Sequence, residues 1–194
     1  MMSTKIYSDF SNDNFNLIVQ RIKAGQIIVY PTETVWAIGC ISTNKKSVEK
    51  VYKIKERSPN LPFINIIDNY INISKYVNNF EDFNLDILKN EEKTSTIIYP
   101  NCKKKYHFIS SQNNEIAFRI TPVKELKKII YLIKAPLVST SANISGEPFA
   151  KTLNEISQSI LDKVDLVLKF EIKSTGKPSS IIKFNNGQIE YIRR

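Results

Sequence analysis

The sequence predicts an α/β domain built on a mixed sheet, and three observations carry that prediction. Its 194 residues, 42% of them apolar, suffice for one buried core. Short apolar runs alternate along the chain with stretches of helical periodicity. The chain then closes on two strand-like runs flanking Asn186-Gly187, a pair suited to a tight hairpin. There is no internal repeat, so a single domain over residues 1–194 is expected.

Residues 13 to 24, "DNFNLIVQRIKA", place Phe15, Ile18 and Ile22 on one face and run into Gly25, which predicts a helix with a glycine just past its end. "QIIVYP" reads as a buried strand stopped by Pro31. It leaves Thr32, Glu33 and Thr34 on a loop at a strand's carboxyl end, a preferred place for ligands in α/β sheets. A helix over about Lys45 to Lys55 leads through "ERSPNLP" to the strand "FINII". Residues 70 to 92 read as one or two short helices. "TSTIIYP", "EIAFRI", "PLVST" and "DLVLKF" read as strands, and "VKELKKIIYLI" and "TLNEISQSIL" as helices. "SSIIKF" and "QIEYI" form the closing hairpin. Residues 101 to 115, "NCKKKYHFISSQNNE", have no clear period and are expected to form a mobile loop.

Lys and Arg outnumber Asp and Glu by 28 to 19, a formal net charge of +9, so anionic partners such as nucleotides, phosphates or RNA are favoured. The opening residues "MMSTKIYSDFSND" lack the apolar core of a signal peptide, and Cys40 and Cys102 are the only cysteines. A cytoplasmic protein with reduced thiols is therefore expected. No apolar run approaches the roughly 18 residues that span a bilayer, so no membrane association is expected.

Several chemistries are excluded by motif. Gly176-Lys177 does not complete a Walker loop, because position 171 is Glu and Pro178 follows the lysine. His107 is the sole histidine, which argues against a Ser-His-Asp triad or a histidine metal cluster. No dinucleotide-binding glycine pattern occurs among the five glycines.

Three features hold inward or ligand-like groups. On the helix near 45 to 57, Lys46, Lys50, Lys53 and Arg57 share one face, while Lys55 falls with Val48, Val51 and Tyr52. Lys55 is thus either a frayed helix end or an ammonium aimed into a cleft, because unpaired burial is costly. In "EIAFRIT", Ala117, Arg119 and Thr121 share a face that either lines a site or is an exposed sheet surface. "PLVSTSANISGEP", residues 136 to 148, carries Ser139, Thr140, Ser141, Asn143 and Ser145. A cap and turn would use one or two of them, whereas hydroxyls and amides in this density also suit phosphates and ribose.

In order, "VYPTETVWAIGC", "YKIKERSPNLPF", "IAFRIT", "PLVSTSANISGEP", "KPSSII" and "IRR" resemble the motifs of the YrdC family of threonylcarbamoyl-AMP synthases, over about residues 12 to 194. The resemblance implies a YrdC/RibB-like α/β fold, a twisted mixed sheet with flanking helices around a basic concave cleft. It implies that L-threonine, bicarbonate and ATP combine to give threonylcarbamoyladenylate and pyrophosphate, with Mg²⁺ on the ATP phosphates and no metal site made by protein alone. Other proteins then place the threonylcarbamoyl group on N6 of adenosine 37 in tRNAs reading codons that begin with A.

Carried over by motif, Lys55 and Arg57 match the KxR pair at the nucleotide phosphates and are the expected catalytic residues. Ser141, Asn143 and Arg193 match nucleotide contacts. Thr32, Arg119, Ser139 and Ser179 match the threonine pocket, with Arg119 on the carboxylate. The chain departs from the pattern at "EKTST", where only Thr96 of a Pro-Gly-Pro-x-Thr segment is kept. It departs also at Leu61, where a basic residue is common, and at Trp36 and Ala37, where an aromatic Tyr or Phe and a Gly are usual. A non-catalytic RNA-binding module is the alternative reading of the charge and of the basic helix face.

Overall fold

The computed structural model describes residues 4–80, 95–185 and 188–193. Helix α1 (Asn12–Lys23) buries Phe15, Ile18, Val19 and Ile22, the spacing read from the sequence. Past its end Gly25 takes φ +87°, and a Cβ there would meet Asn44 Nδ2 and Ser47 Oγ at 2.6 Å. The missing side chain lets Ser47 Oγ donate to Gly25 O at 2.6 Å, which docks the end of α1 on the start of helix α2 (Lys45–Ile54). Asn44 caps α2 by accepting from Ser47 N at 3.2 Å.

Among the described residues ten strands form one mixed sheet in the order β1-β8-β2-β3-β7-β4-β6-β5-β9-β10. They are β1 (Lys5–Tyr7), β2 (Ile28–Tyr30), β3 (Ala37–Gly39), β4 (Ile64–Ile67), β5 (Thr96–Tyr99), β6 (Ile116–Ile120), β7 (Leu137–Ser141), β8 (Leu166–Leu168), β9 (Ile181–Asn185) and β10 (Gln188–Arg193). The pairs β1–β8, β2–β8, β4–β6 and β5–β9 are parallel, while β3, β7 and the β9–β10 hairpin pair antiparallel with their neighbours.

Alternation along the strands sorts side chains into two apolar layers. Ile28 and Tyr30 of β2 meet α1 and helix α3 (Lys124–Ile133), whereas Val29 packs with Ile38, Val48, Val51 and Phe118 on the opposite face. Among the described residues no helix is long and apolar enough to cross a membrane.

A row of in-register residues, Leu137, Ile66, Arg119, Thr96 and Ile181, crosses five strands on the α1/α3 face. Leu137 and Ile66 belong to the apolar layer under those helices. At Arg119 and Thr96 the row turns polar. Along β7 the same switch runs lengthwise, from Leu137 to Ser139 and Ser141 on one face.

Several elements differ from the sequence reading. Strand β3 lies inside "TVWAIGC", which reads as loop because two small residues carry no strand propensity. They are small for a reason: the Tyr30 hydroxyl reaches Val138 O at 2.9 Å, and a Cβ on Gly39 would lie 1.7 Å from that same oxygen. Strand β1 also went unread. "TLNEISQSIL" is not one helix but a 3₁₀ turn at Leu153–Glu155 and one helical turn, α4 (Gln158–Leu161), with Ile156 extended between them. Glu155 turns back to accept from Lys151 N and Thr152 Oγ1, bonds that compete with helix continuation.

Residues 101 to 115 are not a mobile loop. Buried Cys102 and Ile109 anchor a 3₁₀ helix, Lys104–Ile109, and Lys103 Nζ donates to Ser74 O at 2.7 Å. A six-residue 3₁₀ stretch is too short to leave a helical period in sequence. The hairpin strands pair as expected, Gln188 with Asn185. Asn186-Gly187 and the helices expected beyond residue 80 as far as 92 lie outside the described residues.

Gly39→Ala forces Val138 O and β7 away from β3, so denaturant unfolding should show a loss of about 3 kcal/mol, the upper end for overpacking. Gly176→Ala, at a position with φ +66° but open space around it, should cost only about 1 kcal/mol from backbone strain.

Candidate active site

A cleft of about 550 Å³ opens where β2 and β7 end and β3, β4 and β9 begin. Thr32, Lys55, Arg57, Arg119, Ser139, Ser141, Asn143 and Ser179, all singled out from the sequence, line it. Arg193 pairs through its backbone with Ile181, another lining residue, and its side chain lies outside what the structure describes.

Lys55 settles its own ambiguity. It caps α2, is 2% exposed, and drives its ammonium across to Ser141 O at 2.5 Å and Asn143 O at 2.7 Å. The next residue, Glu56, takes φ 52° and turns the chain away, while Ser145 N returns a bond to Lys55 O at 2.9 Å. Burial, with the neighbouring Arg57 charge adding to it, pushes the Lys55 pKa down to about 8.

Arg57 leaves the basic stripe of α2. Its Nε donates to Leu61 O at 2.9 Å, and its guanidinium lies 5.3 Å over the Phe63 ring, which stacks on Tyr52 at 4.0 Å. Leu61 therefore serves through its carbonyl. Burial lowers the Arg57 pKa from its ordinary value. Within the rest of the stripe Lys50 is paired on the surface, 3.3 Å from Asp165, and outside it Lys45 lies 4.0 Å from Glu49.

The serine-rich stretch divides in two. Ser139 and Ser141 present hydroxyls to the cleft on the face that Leu137 began. Asn143 donates its amide to Ile144 O at 2.9 Å and Glu147 O at 2.7 Å, so its donors hold the turn through Gly146, at φ 92°. Its Oδ1 accepts no hydrogen bond among the described residues.

Thr32 lines the wall, yet its hydroxyl is committed to its own loop: it donates to Val35 O at 2.7 Å and accepts from Thr34 and Val35 N–H at 3.2 Å. Across the cleft, Thr96 and Ser179 share a hydroxyl bond of 2.8 Å, and Ser95 and Ser180 a second of 2.8 Å.

Arg119 is 5% exposed, which excludes the exposed-sheet reading. Its Nε lies 2.9 Å from Oε1 of Glu33, itself 6% exposed. The approach is off the N–H axis, so the contact is an ion pair rather than a straight hydrogen bond. In the sequence Glu33 reads only as a loop residue. The signal was available: an inward arginine on a strand demands a counter-charge, and Glu33 is the acid that the neighbouring loop supplies.

The wall thus combines the cations Lys55 and Arg57, a neutralised Arg119, one carboxylate, Glu147, and a lining of hydroxyls. Such a set suits a polyanion at one end and a planar carboxylate at the other. Among the described residues no group of three or more His, Cys, Asp or Glu is placed to hold a metal ion.

The family model Sua5/YciO/YrdC, described as telomere recombination, matches residues 20–194. The chain is similar to the threonylcarbamoyl-AMP synthase of Vibrio campbellii, 29% identical over 180 residues, covering 91% of this chain and 97% of the relative. It is 31% identical over 181 residues to the enzyme of that name from Vibrio parahaemolyticus, with the same coverage of 91% and 97%. Among solved structures, Sua5 of P. abyssi complexed with L-threonine superposes with TM-score 0.84 at 19% identity, covering 100% of this chain and 57% of that one. E. coli YciO does so with TM-score 0.77 at 20% identity, covering 100% and 95%. These two likenesses bear out the predicted fold, a mixed α/β sheet with flanking helices.

A Lys55 pKa near 8 predicts that affinity for inorganic pyrophosphate falls roughly tenfold between pH 7 and 9, as the ammonium loses its proton. Calorimetry on Lys55→Met should show weak binding at both pH values and no such decline. Folding responds in the opposite sense: the unfolded lysine keeps its proton to about 10.5, so stability rises as pH passes through 8 toward that value.

Proposed function

The chain belongs to the Sua5/YciO/YrdC family, and from that premise we propose that it is a threonylcarbamoyl-AMP synthase, making threonylcarbamoyladenylate and pyrophosphate from L-threonine, bicarbonate and ATP. The activity is that of a nucleotidyltransferase. The observation that carries the reading is the Lys55 ammonium held at the cleft by two main-chain carbonyls, with Arg57 and Arg119 in the same cavity.

The threonine amine takes up bicarbonate with loss of water to give a carbamate. A carbamate oxygen then bonds to the α-phosphorus of ATP while the bond to the bridging oxygen breaks and pyrophosphate leaves. Nucleophile and electrophile are both anions, so the site has to offset their repulsion and align them. Lys55 and Arg57 supply positive charge at the phosphate end, and Ser141 and Asn143 border the nucleotide there. Arg119 takes the threonine carboxylate, between Ser139 and Ser179. Thr32 acts on this pocket through the shape of its loop.

The cleft offers hydroxyls, cations and a single lining carboxylate, Glu147, while Glu33 behind the wall is engaged by Arg119, so Mg²⁺ fits as an ion carried by the phosphate oxygens. It would offset phosphate charge when bound. The product passes to proteins that transfer the threonylcarbamoyl group to adenosine 37 of tRNA, in the cytoplasm. Inward cations and a partly neutralised helix surface favour this reading over an RNA-binding module.

Purified protein with ATP, bicarbonate, Mg²⁺ and threonine should release pyrophosphate only when threonine is present. Lys55→Ala should lower the rate by roughly a hundredfold, the scale of a lost charge at a phosphoryl centre. Arg119→Ala should raise the threonine requirement at least about tenfold while leaving that for ATP in place. Release that ignores threonine, or RNA affinity that is steep in salt and indifferent to Lys55→Ala, overturns the reading.

A further inference from the structure

We propose that Glu33 sets the anion selectivity of the cleft: it pins and neutralises Arg119 from behind the wall, reserving the guanidinium for one carboxylate and keeping phosphate out. What the reserved carboxylate belongs to rests on the function proposed above; the selectivity itself rests on the geometry.

Arg119 lines the cavity, whereas Glu33 is not among its lining residues. The carboxylate meets the guanidinium at Nε, 2.9 Å away, with both side chains more than nine-tenths buried. Among the described residues no hydrogen bond engages an Nη atom of Arg119, so these donors remain for a ligand in the cleft that Arg119 lines. On its own strand row Arg119 has Ile66 on one side and the Thr96 hydroxyl side chain on the other, and neither carries charge.

Glu33 is itself held. Thr175 N donates to its carbonyl at 2.9 Å, Ser174 Oγ donates to Thr34 O at 2.5 Å, and the Thr32 hydroxyl gathers the amides of Thr34 and Val35. The acid is thus delivered by a loop fastened on both sides.

A cleft that takes two anionic substrates has to keep them at the right ends. Lys55 lies against neutral carbonyls and Arg57 against carbonyls and a ring, and these two cations outnumber the one carboxylate on that wall, Glu147, so that end keeps a net positive charge. The Arg119 end carries no net charge once Glu33 is counted. A dispersed polyphosphate is drawn to the first end by charge. At the second, only a planar group that accepts two parallel N–H bonds gains enough to displace water. Removing the Glu33 charge erases this difference between the ends.

The test is inhibition of threonine-dependent pyrophosphate release by inorganic phosphate. In the unaltered protein phosphate should compete with ATP and not with threonine. In Glu33→Gln it should become competitive with threonine as well, its inhibition constant at that site falling by roughly tenfold or more as an unpaired buried guanidinium appears. Glu33→Gln/Arg119→Ala should lose the new competition, because the effect runs through Arg119. An inhibition pattern in Glu33→Gln identical to that of the unaltered protein overturns the proposal, and so does competition with threonine before any substitution. The second result needs no variant, so it holds even if Glu33→Gln does not fold. Should the protein release no threonine-dependent pyrophosphate, the functional reading fails. Calorimetric titration of phosphate into the unaltered protein and Glu33→Gln then decides the selectivity: an added phosphate site in Glu33→Gln supports it, and equal binding overturns it.

Discussion

The bond pair from the Lys55 ammonium to the carbonyls of Ser141 and Asn143 ties together everything that makes the cleft. It joins the end of α2, on one side of the sheet, to the end of β7 in its middle. A second strap, from Ser145 N to Lys55 O, closes the joint from the other direction. Burial of the ammonium opposes its charge, and two carbonyl dipoles oppose the burial, so the group sits between being a structural clasp and a ligand for anions. Arg57 follows two residues later and is aimed by carbonyls of its own turn. The KxR spacing is therefore a consequence of where a helix ends: one side chain carries inward across the sheet and the next but one folds over Phe63 at the rim.

The sheet beneath is arranged for that joint. Small residues in β3 let Tyr30 pass over the strand to Val138 O, so three strands are locked at the same height as the cleft floor. Beyond the cover of α1 and α3 the same sheet face exchanges Leu137 and Ile66 for Ser139, Arg119 and Thr96. Site and core are one continuous surface whose chemistry changes where the helices stop.

Much of this was legible in sequence, and the reasons differ by residue. Lys55 stood out because its helical angle put a charge among valines, and Arg119 because strand alternation turned it inward. Both are periodicity arguments that left two alternatives open, and burial of both side chains decides for the inward one. The serine-rich stretch stands out by density alone, and the structure places Ser139, Ser141 and Asn143 on the cleft while the Asn143 amide also holds the turn. Strand β3 and the fold of residues 101 to 115 were illegible because they depend on contacts distant in sequence, such as Val77 with Cys102. Glu33 was visible as a residue but not as a partner, since which strand row its loop would cover is a matter of topology. Thr32 is a contrasting case, a cleft-lining residue with a local hydroxyl bond. Its motif suggested a ligand contact, and its hydroxyl proves to be turned on its own backbone.

The paired hydroxyls where β5 and β9 begin have a consequence of their own. Thr96 with Ser179, and Ser95 with Ser180, are bonds in which either oxygen can be the donor. Reversing such a pair moves two protons by rotation about C–O bonds and no heavy atom at all. This side of the cleft therefore holds hydroxyl pairs whose donor and acceptor can exchange with the same heavy-atom geometry, and the sheet never has to register the change.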